Sequence, residues 1–253
     1  MNPHITSGID VALLVFWVFV AFFVALVFYL RREDRREGYP LEDELTGRID
    51  NWGGPLYGPD AKSFLLPFGQ GVATTPTTGR DPFDIAARRT ERSAGAPHVP
   101  TGNPLVDGIG PAAWADRVKR PDVDMEGHLR IVPLSSVTDF WTAHQDGDLT
   151  GWPVVGLDGV VAGTVTDLWI DRSDRLVRYI QLGTDGMLVP IMVAKVDRRR
   201  RRVVVDALNA AQFAGVPRPE TPGQITRYEE DRVQAYFGGG YLYATPDRQE
   251  PLF

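Results

Sequence analysis

Val11–Leu30 reads VALLVFWVFVAFFVALVFYL, twenty residues free of charge, Gly and Pro. At about 1.5 Å of rise per residue, a helix of that length spans roughly 30 Å, the thickness of a bilayer's hydrocarbon core. A cleaved signal sequence would need a basic region before the apolar run and small residues at its end. Here no Lys or Arg precedes the run, and four arginines (Arg31, Arg32, Arg35, Arg36) follow it. The charge bias predicts a single transmembrane helix over 11–30, with residues 1–10 on the periplasmic side and the rest in the cytoplasm. Ala21 and Ala25 lie one turn apart, a spacing that lets a neighbouring helix approach.

Working outward, the remainder is a different kind of chain. All 27 Lys and Arg of the 253 residues lie beyond position 30, as do all acids but Asp10. The absence of Cys excludes disulfides, thiolate-held zinc, iron–sulfur clusters and cysteine nucleophiles. A net charge of −6 argues against nucleic acid as a partner. There is no GxSxG, HExxH or P-loop. Gly108-Ile109-Gly110 is followed by Pro111 and preceded by no strand, so it is not a dinucleotide turn.

Residues 46–122 show little periodicity, with Pro and Gly every few positions. Yet they carry Trp52, Leu56, Tyr57, Phe64, Leu65, Leu66, Phe68, Leu105 and Trp114, which a disordered chain usually lacks. The segment 31–122 therefore reads as an extended cytoplasmic stretch ordered by lying on a partner. The β-rich runs WPVVGL, VVAGTVTDLWID, RLVRYIQL, MLVPIMVAKV and RRVVVDAL begin at Trp152, and Asp158-Gly159, Asp185-Gly186 and similar turns separate them. They predict a meander of five antiparallel strands, closed into a small barrel or strongly twisted sheet, within a mostly β domain over 123–253. TRYEEDRVQAYF from Thr226 predicts a short helix stopped by Gly238-Gly239-Gly240.

Two clusters of titratable groups stand out. Asp122, Asp124, Glu126 and His128 fall within one loop-like stretch that ends at Arg130. Mutual repulsion would raise their carboxyl pKa values, giving a proton-binding patch; a solvated acidic loop is the plain alternative. Asp167, Asp171 and Asp174 accompany Arg175 and Arg178, with Asp167, Trp169 and Asp171 on one face by period two, which suggests a surface ion-pair network. The run Arg198–Arg202 reads as a hairpin tip suited to solvent or to anionic lipid.

RRED (31–34), GYPLE (38–42), SFLLPFG (63–69), GNPLVDGIGP (102–111), GLDGVVAGTVTDLWID (156–171), DALNAAQFAGVP (206–217) and EEDRVQAYFGGGYLYATP (229–246) carry a further reading. Through them the chain resembles, nearly end to end, the H subunit of the purple-bacterial photosynthetic reaction centre, and its strand region resembles the PRC-barrel module. The resemblance implies a non-catalytic subunit in the bacterial inner, photosynthetic membrane. It would cap the cytoplasmic face of the two pigment-binding subunits and support proton delivery to the secondary quinone. It implies no cofactor on this chain: bacteriochlorophyll, bacteriopheophytin, quinone and non-haem iron would sit in the partner subunits, with the core light-harvesting antenna as a further neighbour. By motif, the proton mouth falls on Asp124, Glu126 and His128, and an inner relay on Asp171, Asp174, Arg178 and Glu230. The family's mouth has two histidines; Glu126 stands at the first of those positions here. A membrane-tethered PRC-barrel adaptor without photochemistry is the alternative function.

Overall fold

The structure, a computed structural model, describes residues 10–36, 39, 41–48, 58–75 and 84–249. The expected periplasmic segment, Asp10 apart, and the apolar residues Trp52, Leu56 and Tyr57 lie outside them. Packing divides the chain into two units: one runs to Asp84 and takes in Glu91–Ala96, and the other comprises Ile85–Thr90 and everything from Pro97 onward.

In the first unit the apolar run forms α1, Val11–Glu33, long and apolar enough to cross a membrane. Its start is set by Asp10, the lone acid of the first thirty residues. The Asp10 carboxylate accepts from the N–H groups of Ala12 (3.0 Å) and Leu13 (3.2 Å), satisfying two amides that the helix cannot. At the other end Arg31 and Arg32 complement the helix dipole. No residue of α1 is buried, so its apolar surface is left for lipid or a neighbouring helix. Charged contacts then hold the following chain to the end of α1. Arg32 donates to the Gly58 carbonyl (2.8 Å) and to Asp60 (2.8 Å), Arg36 to the Asp60 carbonyl (2.6 Å), and Lys62 pairs with Glu33 (2.8 Å). They position a hairpin of β1, Ser63–Leu65, and β2, Val72–Thr74, whose register sets Phe64 opposite Ala73. Phe64, Leu65, Phe68 and Val72 all remain exposed, Leu65 at 85%.

The second unit holds the core. It begins with a short hairpin, β3 (Ala87–Arg89) with β4 (His98–Pro100), and one helical turn, α2 (Pro104–Asp107). Leu105, Ile109 and Ala112, inside the stretch read from sequence as extended, are buried. Seven strands follow in one sheet: β5 (Ile131–Pro133), β6 (Pro153–Val155), β7 (Val161–Asp171), β8 (Leu176–Leu182), β9 (Met187–Pro190), β10 (Ala194–Asp197) and β11 (Arg202–Val205). The order is β10-β11-β6-β7-β8-β9, with β5 added to the far end of β7. The two ends of this path, β9 and β10, are joined by a single turn, Ile191–Val193. The sheet must therefore coil back on itself, although no ladder pairs β9 with β10 among the described residues. Val154, Ile180, Leu188, Val189, Val203 and Val205 are wholly buried in it.

Three expectations need correcting. The run 187–196 is two strands, because the chain turns a corner after Pro190, whose ring removes an amide donor. The sheet is not a pure antiparallel meander, since β6 and β11 pair in parallel, Val154 with Val203. Burial along β7 does not alternate either: Leu168, Trp169, Ile170 and Asp171 are all inside, in the stretch where β5 pairs with one edge of β7 and β8 with the other.

The closing helix, α3 (Arg227–Tyr243), starts where the sequence indicates. Thr226 and Glu229 form a capping box, with Glu229 accepting from the Thr226 N–H at 2.7 Å. It does not stop at the glycine triplet but runs through it, and the reason is contact. A Cβ on Gly239 would collide with the Ala112 methyl, and one on Gly240 with the Ala207 carbonyl oxygen. The glycines let α3 lie directly on the turn Gly110–Ala112 and on the chain beyond β11.

Candidate functional site

The stretch 121–130 is a tight loop built around Asp124. Its backbone N–H donates to the His128 carbonyl (2.9 Å), and Val123 bridges Leu129. Gly127 turns the chain at φ +87°. The Asp124 carboxylate points inward and accepts from the N–H groups of Glu126 (3.0 Å) and His128 (2.8 Å). The His128 ring nitrogen Nδ1 lies 3.4 Å from its second oxygen. Burial acts to raise the Asp124 pKa, but these two amides and the imidazole outweigh it and hold the carboxyl below its ordinary value. This corrects the expectation of raised carboxyl pKa values for Asp124: its charge is committed to the loop's own backbone. Glu126 and His128 are left exposed on the surface above it.

Arg130 closes the loop and joins the two clusters that sequence reading kept apart. Its Nε lies 2.9 and 3.0 Å from the two oxygens of Asp171, its Nη2 donates to Asp174 (2.7 Å), and its Nη1 stands 3.5 Å from Asp122. The placement follows from β5, whose Ile131 pairs with Asp171 and whose neighbour Arg130 accepts from the Arg172 N–H (2.9 Å). Asp171 is fully buried and also accepts from the N–H groups of Ser173 and Asp174, both 3.0 Å. Burial alone would raise its pKa; Arg130 and the two amides reverse the sign and leave it below the ordinary value. Asp174 is half-exposed. Asp167, from the same sequence cluster, lies elsewhere and takes the Ser135 hydroxyl.

Glu230, on the first turn of α3, belongs to a second group. The Tyr179 hydroxyl donates to it (3.1 Å) and in turn accepts from the Gln234 amide (3.1 Å). Removal from water raises the Glu230 pKa. The Tyr179 hydrogen bond and the charge of Arg178 oppose that rise, while Asp122 adds to it. Burial, and then Glu230 itself, push the Tyr179 hydroxyl well above its ordinary pKa. Asp122 is thus felt at Glu230 and also stands 4.0 Å from Arg227 of α3, besides its contact with Arg130. Of the residues singled out in the sequence, Asp124 and His128 meet directly, Asp171 and Asp174 meet through Arg130, and Arg178 and Glu230 meet through charge. Sequence reasoning missed Arg130 and Tyr179 as members, and it grouped Asp122 with the loop without its link to Arg227 and Glu230. The available signal was the apolar pair Ile131–Val132 directly after Arg130, which marks a strand and so a partner.

Elsewhere, the arginine run does fall at the hairpin between β10 and β11, Arg198–Arg201 forming the tip and Arg202 opening β11, with Arg198 held by Asp146 (2.9 Å) and Arg202 by Asp197 (3.3 Å). A groove of about 550 Å³ is lined by Trp141, Leu149, Leu168, Leu176, Val196 and others. Among the described residues no group of three His, Asp or Glu is arranged to hold a metal ion.

Comparison with known families gives two matches. Residues 3–136 match the photosynthetic reaction centre, H-chain N-terminal region, and residues 142–212 match the PRC-barrel domain. The first covers more than half of the chain and takes in α1, its charged continuation and the whole Asp124 loop. The order of apolar helix, aperiodic middle and coiled sheet agrees with both. This chain therefore belongs to the H-chain family of the photosynthetic reaction centre, as a structural subunit and not an enzyme.

Proposed function

We propose that this subunit caps the cytoplasmic side of the two pigment-binding subunits and supplies the path by which protons reach the secondary quinone. Quinone reduction consumes protons, and a protein cap would otherwise isolate the quinone from water. A run of carboxylates and imidazole, with water completing the hydrogen bonds between them, would relieve that isolation. The observation that carries the reading is the Asp124 loop: exposed Glu126 and His128 over Asp124, adjoining Asp122, Asp171, Asp174 and, beyond Asp122, Glu230. Arg178 tunes the last of these through its charge.

The exposed Phe64, Leu65, Phe68 and Val72, held to the end of α1, favour a partner surface in the first unit. On this reading the N-terminus is periplasmic, and bacteriochlorophyll, bacteriopheophytin, quinone and non-haem iron reside in the partners. The core antenna and anionic lipid at Arg31, Arg32, Arg35 and Arg36 are its further neighbours. The test is flash-induced electron transfer in purified complexes. The Asp124/Glu126/His128→Ala triple variant should slow the second, proton-coupled electron transfer by about tenfold or more. The first transfer should be unchanged, because on this reading the redox groups lie in the partner subunits. Normal second-electron rates at every pH in the triple variant would mean that protons enter elsewhere.

A further inference from the structure

The inner carboxylates do not have equal capacity to take up a proton. An ionised carboxylate offers about four lone-pair sites. On Asp171 three contacts converge on Oδ1, from Arg130 Nε and the N–H groups of Ser173 and Asp174, while Oδ2 shares the same Nε–H. A proton arriving on this buried group would weaken these contacts and remove the one buried counter-charge of the partly exposed Arg130 guanidinium. Asp174, half-exposed, and Asp122, at 3.5 Å from Arg130, each keep free acceptor positions.

We infer that Asp171 is a fixed buried anion rather than a proton carrier, and that Arg130 is the positioning residue that keeps it so while tying the Asp124 loop to the inner carboxylates. Three carboxylates crowd one guanidinium here: Asp122 from the loop, Asp171 from the end of β7 and Asp174 from the turn after it. From α3 come Arg227, 4.0 Å from Asp122, and Glu230; from β8 comes Arg178, which acts on Glu230. Without the guanidinium three like charges would repel at close range, and the best buried of them would be the first to be neutralised. The permanent negative charge of Asp171 would then draw protons toward the loop without trapping them. Any proton passing inward would use Asp174, Asp122 and Glu230. The lowered proton affinity of Asp171 agrees with this assignment.

This last consequence rests on the proton-delivery reading; the protonation state of Asp171 does not. The experiment is therefore infrared titration of the intact reaction-centre complex, comparing wild type with Asp171→Asn, Arg130→Gln and Arg130→Lys. In wild type, the signal lost on Asp171→Asn should be an ionised carboxylate at every pH around neutrality. Arg130→Gln should create one protonated carboxyl that titrates near neutral pH and disappears in the Arg130→Gln/Asp171→Asn double variant. Arg130→Lys, which restores charge without the fork, should suppress most of that new signal. A protonated, titrating carboxyl already present in wild type and lost in Asp171→Asn would overturn the assignment. An Arg130→Gln complex with no Asp171-dependent signal would also overturn it. Should Arg130→Gln fail to assemble, wild type against Asp171→Asn decides alone. Normal second-electron rates in the Asp124/Glu126/His128 variant, alongside the expected infrared result, would remove the proton path and leave the Arg130 assignment standing.

Discussion

The glycine triplet of α3 allows a prediction worked from distances. In a helix interior, Gly→Ala gains about 0.8–1 kcal/mol from propensity alone. For Gly238 less opposes the gain: an added Cβ would meet only the Pro111 carbonyl oxygen, at 3.3 Å, a tight contact relieved by a shift of a few tenths of an ångström. Gly238→Ala should therefore stay within ~1 kcal/mol of wild type. For Gly239 the new methyl would overlap the Ala112 methyl and lie 3.0 Å from its Cα and 3.1 Å from Leu105 Cδ2. For Gly240 it would overlap the Ala207 carbonyl oxygen and lie 2.6 Å from Leu208 Cδ2. Overpacking costs about 1–3 kcal/mol, and backbone cannot rotate away as a side chain can. After the propensity gain is subtracted, Gly239→Ala should lose up to ~2 kcal/mol. Gly240→Ala, opposed by main chain, should lose somewhat more. Urea unfolding of the full chain in detergent, followed by far-ultraviolet circular dichroism, would rank the three single variants. A Gly240→Ala chain as stable as Gly238→Ala would refute the argument that the triplet exists for close approach.

Thr226→Ala removes one half of the capping box and should cost about 1 kcal/mol in the same unfolding assay, with Thr226→Ser restoring most of it. Glu230 gives a pH dependence whose sign is set by burial. Its folded pKa is raised above the ordinary value of 4.5, so its contribution is fully present below that value and is lost as pH rises through the raised one. Glu230→Gln should accordingly flatten the fall in stability toward neutral pH, and an unchanged slope in the variant would exclude Glu230 as its source.

Much of this architecture was legible because it rests on local chemistry. The span of α1 follows from twenty uncharged residues, the start of α3 from Thr226 with Glu229, and the β8–β9 turn from Asp185-Gly186. What was not legible depends on contacts between distant positions. The apolar pair after Arg130 marks a strand but not which one it pairs with, so the contact with Asp171, forty-one positions away, emerges only from the short β5–β7 ladder. The glycine triplet reads as a stop because a local rule sees only the missing side chains, not the Ala112 and Ala207 surfaces pressed against them. Likewise, alternation along β7 puts Asp171 on the Trp169 face and suggests that this face is polar, and only the tertiary fold shows that both residues are buried there. At the candidate site the individual acids were found by composition, whereas their unequal roles emerge only once hydrogen-bond donors are assigned to each oxygen.

The parallel pairing of β6 with β11 has a consequence during synthesis. Its partners are roughly fifty residues apart in sequence, with Val154 opposite Val203. At about 5–20 residues per second, the ribosome delivers β11 roughly 2–10 s after β6. The hairpins of β7, β8 and β9 need only local loop closure, on a microsecond scale of about 1–10 μs each. Pro190, the end of β9, precedes Val203 by 13 positions, so for roughly the last quarter of those seconds the nascent chain presents the β6–β9 sheet with the β6 edge open. Its valines are bare and its backbone is free to pair with any neighbouring strand. The charged tip Arg198–Arg201, which emerges immediately before β11, is then the last feature to appear ahead of the strand that covers that edge.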